Sequence, residues 1–578
     1  MLRRCFSAGL LFALLLIPSA LPAADVPVDA FPDSTSLVIR LKNPQATTGK
    51  LVELADAIQP GFGQQVQFAA QGLGTLISNP TAEGVDKTAD WWVAVFVRKE
   101  KDPAIVFAIP ASDADAMKKA VGEAMTFIKH EKWGIYSEDA DAIEQVKSRI
   151  GGEGKSIKTR VDEQSLKVLD KGDLSVFINI SQLTETYSEQ IQQMREQVAE
   201  ALTELPQQQQ AVPGIDLEQT LKTYRQIIEG LLQALDDAEN CALALSVDKQ
   251  GIVLDDLVTF TADTPTTKFF QKNPPSKLEL LSSLPADQLA YFGLEINFKG
   301  LAAWSMGLAR SMITGEEAGK KFDEATKALE QLDYGSYVGS FALGNLEEGL
   351  IRGVAITEVS DPKKVRDVTR KMIEAFSGVE VAGLKQEYDL KIDAEKYNSH
   401  SADVLTVTYE VDTEKNPLGG LQQQMMAALY GPDGLVTRTV YLKDRLVQTS
   451  GGGKEAMTQA LKSLESPASR TNGNRATFTG MLEKLGEQHN FVLLLDLSRL
   501  VNQGLQLFAQ SQAGAQLPID TERLKDLETK PSFLGVSIKM EKTVLRSKLI
   551  LPTEQLQGLT RLGLTLFSAQ QRGQGEDF

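Results

Sequence analysis

Apolar and polar positions run through the same succession of periods twice along this chain. The first run opens with an alternating strand at Leu37–Leu41 behind Pro32-Asp33, and the second opens with one at 290–296 behind Pro285-Ala-Asp287. Alternation sends successive side chains to opposite faces, so both segments predict half-buried β-strands. Two stretches of helical spacing follow each strand, about 44–58 and 63–78 in the first run and about 299–313 and 316–332 in the second. Gly61 and Gly63, and then Gly315, break them. A strand pair comes next, 92–97 with 104–109 and 337–342 with 350–356. Each pair enters a helix through a Ser-Asp step (Ser112-Asp113, Ser360-Asp361), whose side-chain oxygens suit the free N–H groups of a helix start. Pro362 fits the first helical position.

The closest match lies later. Residues 175–183 and 492–500 share one pattern and place Ser181 and Ser498 at a strand-to-helix corner. Hairpins at 242–260 and 533–551 close the two runs. This order predicts an α+β fold of two tandem copies with mostly antiparallel sheets. The copies span 25–264 and 286–555, joined by a Pro-rich linker at 265–285. The second copy carries an insertion at about 380–432, and 556–578 read as a helix remnant and tail. Matching the runs pairs Phe96 with Phe341, Trp92 with Tyr337, Trp91 with Ser336 and Ile180 with Leu497.

Residues 1–24 change the picture of where the chain works. Arg3 and Arg4, a 12-residue apolar core from Phe6 to Ile17, and small residues up to Ala24 predict a secretory signal. Twelve apolar residues fall short of the roughly 20 that span a bilayer. Removing the segment would take two arginines and no acid, carrying the net charge from −17 to −19. A periplasmic or extracellular location in a bacterium is expected, with no integral membrane span after cleavage. The acidic balance argues against nucleic acid as a partner, because phosphate binding needs concentrated positive charge. The opening Pro-Asp step before an alternating strand, in an acidic chain with an export signal, resembles uncharacterised exported proteins of planctomycete-like bacteria. In those the unit recurs as a domain of unknown function. The resemblance covers most of the mature chain and implies no activity, since no catalytic motif comes with it.

Candidate chemistry is sparse. Only His130, His400 and His489 and the cysteines Cys5 and Cys241 are present, and none has metal-ligand spacing. All three histidines read as solvated, and Cys241 as a buried structural thiol. The run 449–454 (Thr-Ser-Gly-Gly-Gly-Lys) lacks the first glycine and the hydroxyl residue of a phosphate loop and reads as a turn. Ser360-Asp-Pro-Lys363 has nucleophile–lysine spacing without its companion motifs and reads as a cap. The acid pairs Asp113/Asp115 and Asp139/Asp141 suit helix starts, whereas Asp236/Asp237 and Asp255/Asp256 read as solvated. No catalytic, cofactor-binding or metal-binding residue is assigned, and no cofactor is expected.

Two interaction surfaces remain. Trp91 and Trp92 face opposite sides of their strand, so with Trp92 in the core Trp91 is the candidate exposed platform. The helical stretch 183–236 carries a seam at Leu217, Leu221, Tyr224, Ile228, Leu231 and Leu235, stepping 4, 3, 4, 3, 4. It predicts a hairpin of two antiparallel helices turning at 206–214 and projecting from the first copy. Trp91 on the strand and Leu221, Tyr224 and Ile228 on the hairpin are the candidate contact residues, with another exported or envelope protein as partner. The reading is an exported non-catalytic binding or scaffold protein. The alternatives are an exported hydrolase without a local motif and a carrier for an apolar ligand.

Overall fold

The computed structural model describes residues 27–208, 217–296, 306, 310, 316–345, 347–376, 380–381, 384–411, 419–465, 475–510 and 530–573. The signal segment, most of the helix expected at 299–313 and the turn of the helical hairpin lie outside the described residues. The chain divides into two compact units. The first ends at Gln193, resumes over Gln233–Lys268 and takes up Glu541–Thr560; the second takes Met194–Leu232, Phe269–Met540 and the chain from Arg561 onward.

The first unit holds strands β1 (Leu37–Leu41), β2 (Trp91–Phe96), β3 (Ala104–Pro110), β4 (Thr126–His130), β5 (Trp133–Ser137), β6 (Leu174–Asn179), β7 (Ala238–Asp248) and β8 (Gly251–Phe260). Its helices are α1 (Pro44–Ile58), α2 (Phe62–Ala70), α3 (Leu73–Leu76), α4 (Ala114–Val121), α5 (Ala140–Ile150), α6 (Glu163–Lys171) and α7 (Ile180–Thr186). Aspartates begin three of them. Asp113, Asp139 and Asp162 each accept a hydrogen bond from a first-turn N–H, satisfying donors that have no helical acceptor. The strands form one antiparallel sheet in the order β4-β5-β3-β2-β1-β6-β7-β8.

Both faces of that sheet are covered. Trp92, Ala94 and Phe96 pack with Val38 and Phe177 in one core, while Trp91, Val93, Phe107, Met117 and Tyr136 form a second on the opposite face. Trp91 is therefore no exposed platform. It is 3% accessible, and its indole Nε1 donates to the Asp86 carbonyl at 3.2 Å. Met117 and Val121 of α4, with Ile77 and Val85, close the face it was expected to present to solvent.

Helices α8 (Ser188–Gln208) and α9 (Leu217–Asp237) lead out of and back into the first unit. The Arg195 guanidinium, near the start of α8, donates to the Leu232 carbonyl, near the end of α9, at 3.4 Å, as antiparallel helices require. The body of this arm, Met194–Leu232, belongs to the second unit, whereas the sequence assigned it to the first.

The segment expected as a linker folds. Pro265 starts helix α10 (Pro265–Lys272), a 3-10 turn follows at Glu279–Ser283, and Phe270, Leu278, Leu280, Leu281 and Leu284 are buried. The prolines that suggested an open connection sit instead outside helix interiors and strands, Pro265 at a helix start and Pro274, Pro275 and Pro285 in irregular chain between elements.

In the second unit the strands are β9 (Ala290–Leu294), β10 (Tyr334–Asn345), β11 (Gly349–Val359), β12 (Glu380–Val381), β13 (Leu384–Tyr397), β14 (His400–Val411), β15 (Leu435–Tyr441), β16 (Arg445–Ser450), β17 (Phe491–Leu495) and β18 (Leu534–Glu541). The helices are α11 (Glu316–Leu329), α12 (Pro362–Phe376), α13 (Gly419–Tyr430), α14 (Gly453–Glu465), α15 (Arg475–Leu485) and α16 (Leu497–Gln510). This sheet is also antiparallel, in the order β12-β13-β14-β15-β16-β11-β10-β9-β17-β18. The extra material at about 380–432 adds β12 to β14 beyond β15. The last strand, β19 (Val544–Pro552), pairs along β8 and belongs to the first unit. It leads into α17 (Thr553–Gly573), a full helix rather than a remnant.

Without that addition, the second sheet reads β15-β16-β11-β10-β9-β17-β18, the order of β4-β5-β3-β2-β1-β6-β7 in the first. Backbone hydrogen bonds fix the register of this correspondence. Asn179 caps α7 and its N–H donates to Ser36; Asp496 caps α16 and its N–H donates to Leu289. Ser36 and Leu289 donate in turn to Val95 and Phe341. By this ladder Val95, not Phe96, answers Phe341, and Trp91, not Trp92, answers Tyr337. The match of 175–183 with 492–500 agrees with the ladder, but the match made along β2 is one residue out. A one-residue slip exchanges the two faces of a strand.

Candidate functional site

Of the predicted contact residues, Ile228 is half-buried on the arm, and the side chains of Leu221 and Tyr224 lie outside the described residues. The half-buried stripe of α9 runs through Ile228, Leu232 and Leu235, so the inward position is Leu232 and not the Leu231 of the predicted seam. Leu231 is 67% exposed, and Ile227, Met194 and Tyr187 are exposed with it. The strict 3.5-residue seam misplaced Leu231 by one position, as an ordinary 3.6-residue helix drifts from it. Among the described residues these four make up a third of the exposed large hydrophobic side chains. The sequence offered the arm as a candidate interaction element and assigned one of its outward residues to the inside.

The candidate chemistry settles into structural roles. Asp361 caps α12 by accepting from the Lys364 N–H at 3.0 Å, and the Ser360 hydroxyl accepts from the Asp333 N–H. Cys241 is half-buried, and burial with nearby Asp256 pushes its thiol up to about 11. His489 corrects the solvated reading. It is buried, its Nε2 lies 3.0 Å from the Gly486 carbonyl, and desolvation lowers its pKa. Asp237 is likewise buried, not solvated. Burial opposes its charge, but hydrogen bonds from Thr266 and Gln233 prevail and hold its pKa down. Among the described residues, no three His, Cys, Asp or Glu side chains cluster as a metal site, and no helix is long and apolar enough to cross a membrane.

Sequence reading missed a pocket of about 450 Å³ in the second unit. It opens where the segment before β9, the β10–β11 pair, and the first turns of α14 and α16 converge. Asp287, Gln288, Arg352, Glu455, Gln459 and Arg499 bring charge and hydrogen-bonding capacity to it. Tyr291 secures the wall: its hydroxyl donates to the Pro285 carbonyl at 3.0 Å, and burial raises its pKa to about 12. Arg499 lies 3.6 Å from Asp496, a wholly buried carboxylate that caps the same helix. Glu455 accepts from Gln459 at 3.0 Å. Arg352 has no ion-pair or hydrogen-bond partner among the described residues. These groups come from separate parts of the chain, so no local motif announces them; the only sequence signal was the glycine run 451–453.

No protein-family model matches the chain, and comparison with curated proteins and with solved structures also finds no match.

Proposed function

We propose that the protein is an exported, non-catalytic binding component that engages another envelope protein through the α8–α9 arm. The observation that carries this reading is the set of apolar side chains the arm leaves in water. Ile227 and Leu231 stand one turn apart on α9, a spacing that suits an apolar helix face on the partner. Exposed apolar residues concentrated on one element are the usual mark of an interaction surface, whereas scattered ones are not. The charged lining of the pocket in the second unit favours a polar ligand, which argues against carriage of an apolar one. The common strand order of the two units supports their origin by duplication of one domain, on which the arm is an elaboration.

A photo-reactive amino acid at Leu231 of the full mature chain, irradiated in the native cell, tests this. A single adduct of discrete mass is expected from Leu231 and none from Phe68, an exposed residue of α2. No adduct at Leu231, or the same adduct from both positions, would refute the reading.

A further inference from the structure

The two units treat one helix start differently. In the first, α5 begins where β5 ends, and the Asp139 carboxylate fills its N-terminus. One oxygen accepts from the Ala142 N–H at 2.8 Å and the other from the Arg98 guanidinium at 2.6 Å. A carboxylate held between helix N–H groups and an arginine is a stable arrangement, because both supply positive charge.

In the second unit the topologically equivalent helix is α14, entered from β16. Its cap is Gly452: the Ala456 N–H donates to the Gly452 carbonyl at 3.1 Å, which leaves the N–H groups of Gly453, Lys454 and Glu455 without helical acceptors. A glycine has no carboxylate to offer them. Gly451, Gly452 and Gly453 take φ values of 68°, 65° and 61°, a left-handed run that a residue with a side chain adopts only under strain. The arginine is nevertheless kept. The ladder places Gly344 where the first unit has Arg98, and Arg352 where it has Ala104 on the facing strand. A methyl group on Gly344 would meet the Gly349 carbonyl at 2.2 Å and the Arg352 stem at 3.2 Å, so the Arg352 side chain runs past this glycine. A methyl group on Gly452 would fall 2.8 Å from Arg352 Nε, so the guanidinium lies against the uncapped helix start.

Other observations point the same way. Arg352, Glu455 and Arg499 all line the pocket. Ser340 and Thr449, both more than nine-tenths buried, have hydroxyls without a hydrogen-bond partner, and they flank pocket-lining Val354 in the same row of the sheet. Directly opposed residues of antiparallel strands share a face, so both hydroxyls sit on the side of the sheet that Val354 presents to the pocket.

We infer that this pocket binds a small ligand through its carboxylate, which takes the place that the Asp139 side chain fills in the first unit. Arg352 and the first N–H groups of α14 hold the carboxylate, and Arg499 adds positive charge from the opposite wall. Asp287 and Glu455 line the pocket, and Asp496 already faces Arg499, so acids outnumber the two arginines and the remainder of the ligand is polar or cationic. An amino acid fits this balance better than a phosphate ester, whose second charge would meet the two acids. The site is independent of the arm, and either reading can fail alone.

Thermal unfolding of the full mature chain at fixed ionic strength tests the inference, with alanine and inorganic phosphate as probes. Ligand that binds only the folded state raises the transition in a saturable way. Alanine should do so and phosphate should not. Arg352→Gln should weaken the alanine effect at least tenfold, while Arg445→Gln, on an exposed pair of β16, should leave it unchanged. No saturable shift with alanine, an equal shift with phosphate, or a shift unaffected by Arg352→Gln would overturn the proposal. If circular dichroism shows that Arg352→Gln does not fold, Arg352→Lys replaces it. That variant keeps the charge without the fork of donors, so severalfold weaker binding is expected and unchanged binding overturns the proposal.

Discussion

The two units share a strand order and fill it with different chemistry. At the β1 position where the first unit has Arg40, the ladder puts Gly293 in the second. Arg40 is buried, donates twice to Asp90 Oδ2 at 2.9 and 2.7 Å and once to the Leu169 carbonyl at 2.8 Å, and lies over the Trp92 ring. Gly293 leaves the same place to Leu278 and Leu281, whose methyl groups would sit 3.0 and 3.2 Å from an added Cβ. The leucines come from the segment that composition marked as linker. One topology can thus be closed by a charge network or by apolar side chains from an adjoining segment. Backbone pairing defines the frame, and side chains are free to diverge wherever the frame leaves a volume to fill.

Trp91 and Tyr337, which answer each other in the ladder, should separate most widely. Trp91→Ala removes a side chain buried in the second core of the first unit and should cost about 3–5 kcal/mol. Tyr337 is half-buried, its ring tilted against Phe292 at 5.6 Å, and Tyr337→Ala should cost clearly less. Denaturant unfolding of both variants checks this, and equal losses would mean that Tyr337 is packed as tightly as Trp91 and that the two positions have not diverged. Arg40→Ala comes next, at about 3 kcal/mol, because it leaves the partly buried Asp90 carboxylate without its cation. Gly293→Ala should cost about 1 kcal/mol, from the contact it forces on Leu278.

What the sequence made legible follows from where its signals are local. The strands β1 and β3, helix α1 and the Ser-Asp caps came from periods and side-chain oxygens within a few residues of each other, and the structure places them within a residue or two. Burial of Trp91 was not legible, because it depends on α4 and on Ile77 returning over a face that alternation alone leaves open. Equating Trp92 with Tyr337 compounded the problem, since both are aromatic and residue type outweighed register. The folding of 265–285 was hidden because proline at a helix start and proline in a linker look alike without the leucines' partners. The pocket was the least legible feature of all: Asp287, Arg352, Glu455 and Arg499 are brought together only by strand order.

The helix starts offer a smaller and sharper contrast. Asp139→Ala removes the cap of α5 and should cost about 1–2 kcal/mol at neutral pH. The Arg98 guanidinium holds the Asp139 carboxyl below its ordinary value of 3.8. A depressed carboxyl stabilises the fold fully above its unfolded pKa and loses that contribution as pH falls through the folded one. Wild type and Asp139→Ala should therefore differ at neutral pH and converge in strongly acidic buffer; a gap that stays constant would mean packing, not charge, is lost. Sodium acetate should recover part of the loss in Asp139→Gly, since that variant gives the first unit the uncapped start of the second.

The smallest effect concerns two hydroxyls at one ladder position. Pairing carries Ile105 onto Gly353 and Tyr136 onto Gln448, so Ser137 answers Thr449. The Ser137 hydroxyl donates to the Ile105 carbonyl at 2.7 Å and accepts from the Asp139 N–H at 3.1 Å, which ties the end of β5 to the cap of α5. Ser137→Ala breaks both bonds in a buried place and should cost about 1 kcal/mol. The Thr449 hydroxyl is wholly buried and has no partner, in a strand that leads to an uncapped helix. Burying an unpaired hydroxyl is itself unfavourable, so Thr449→Val, which keeps the shape and removes the hydroxyl, should be neutral or stabilise by up to about 1 kcal/mol without ligand. Parallel melts of the two variants decide the matter. A loss at Thr449 equal to that at Ser137 would show that both hydroxyls are bonded alike and that the two helix starts do not differ as described. A gain in stability accompanied by weaker alanine binding would show that the second unit keeps this hydroxyl for its ligand.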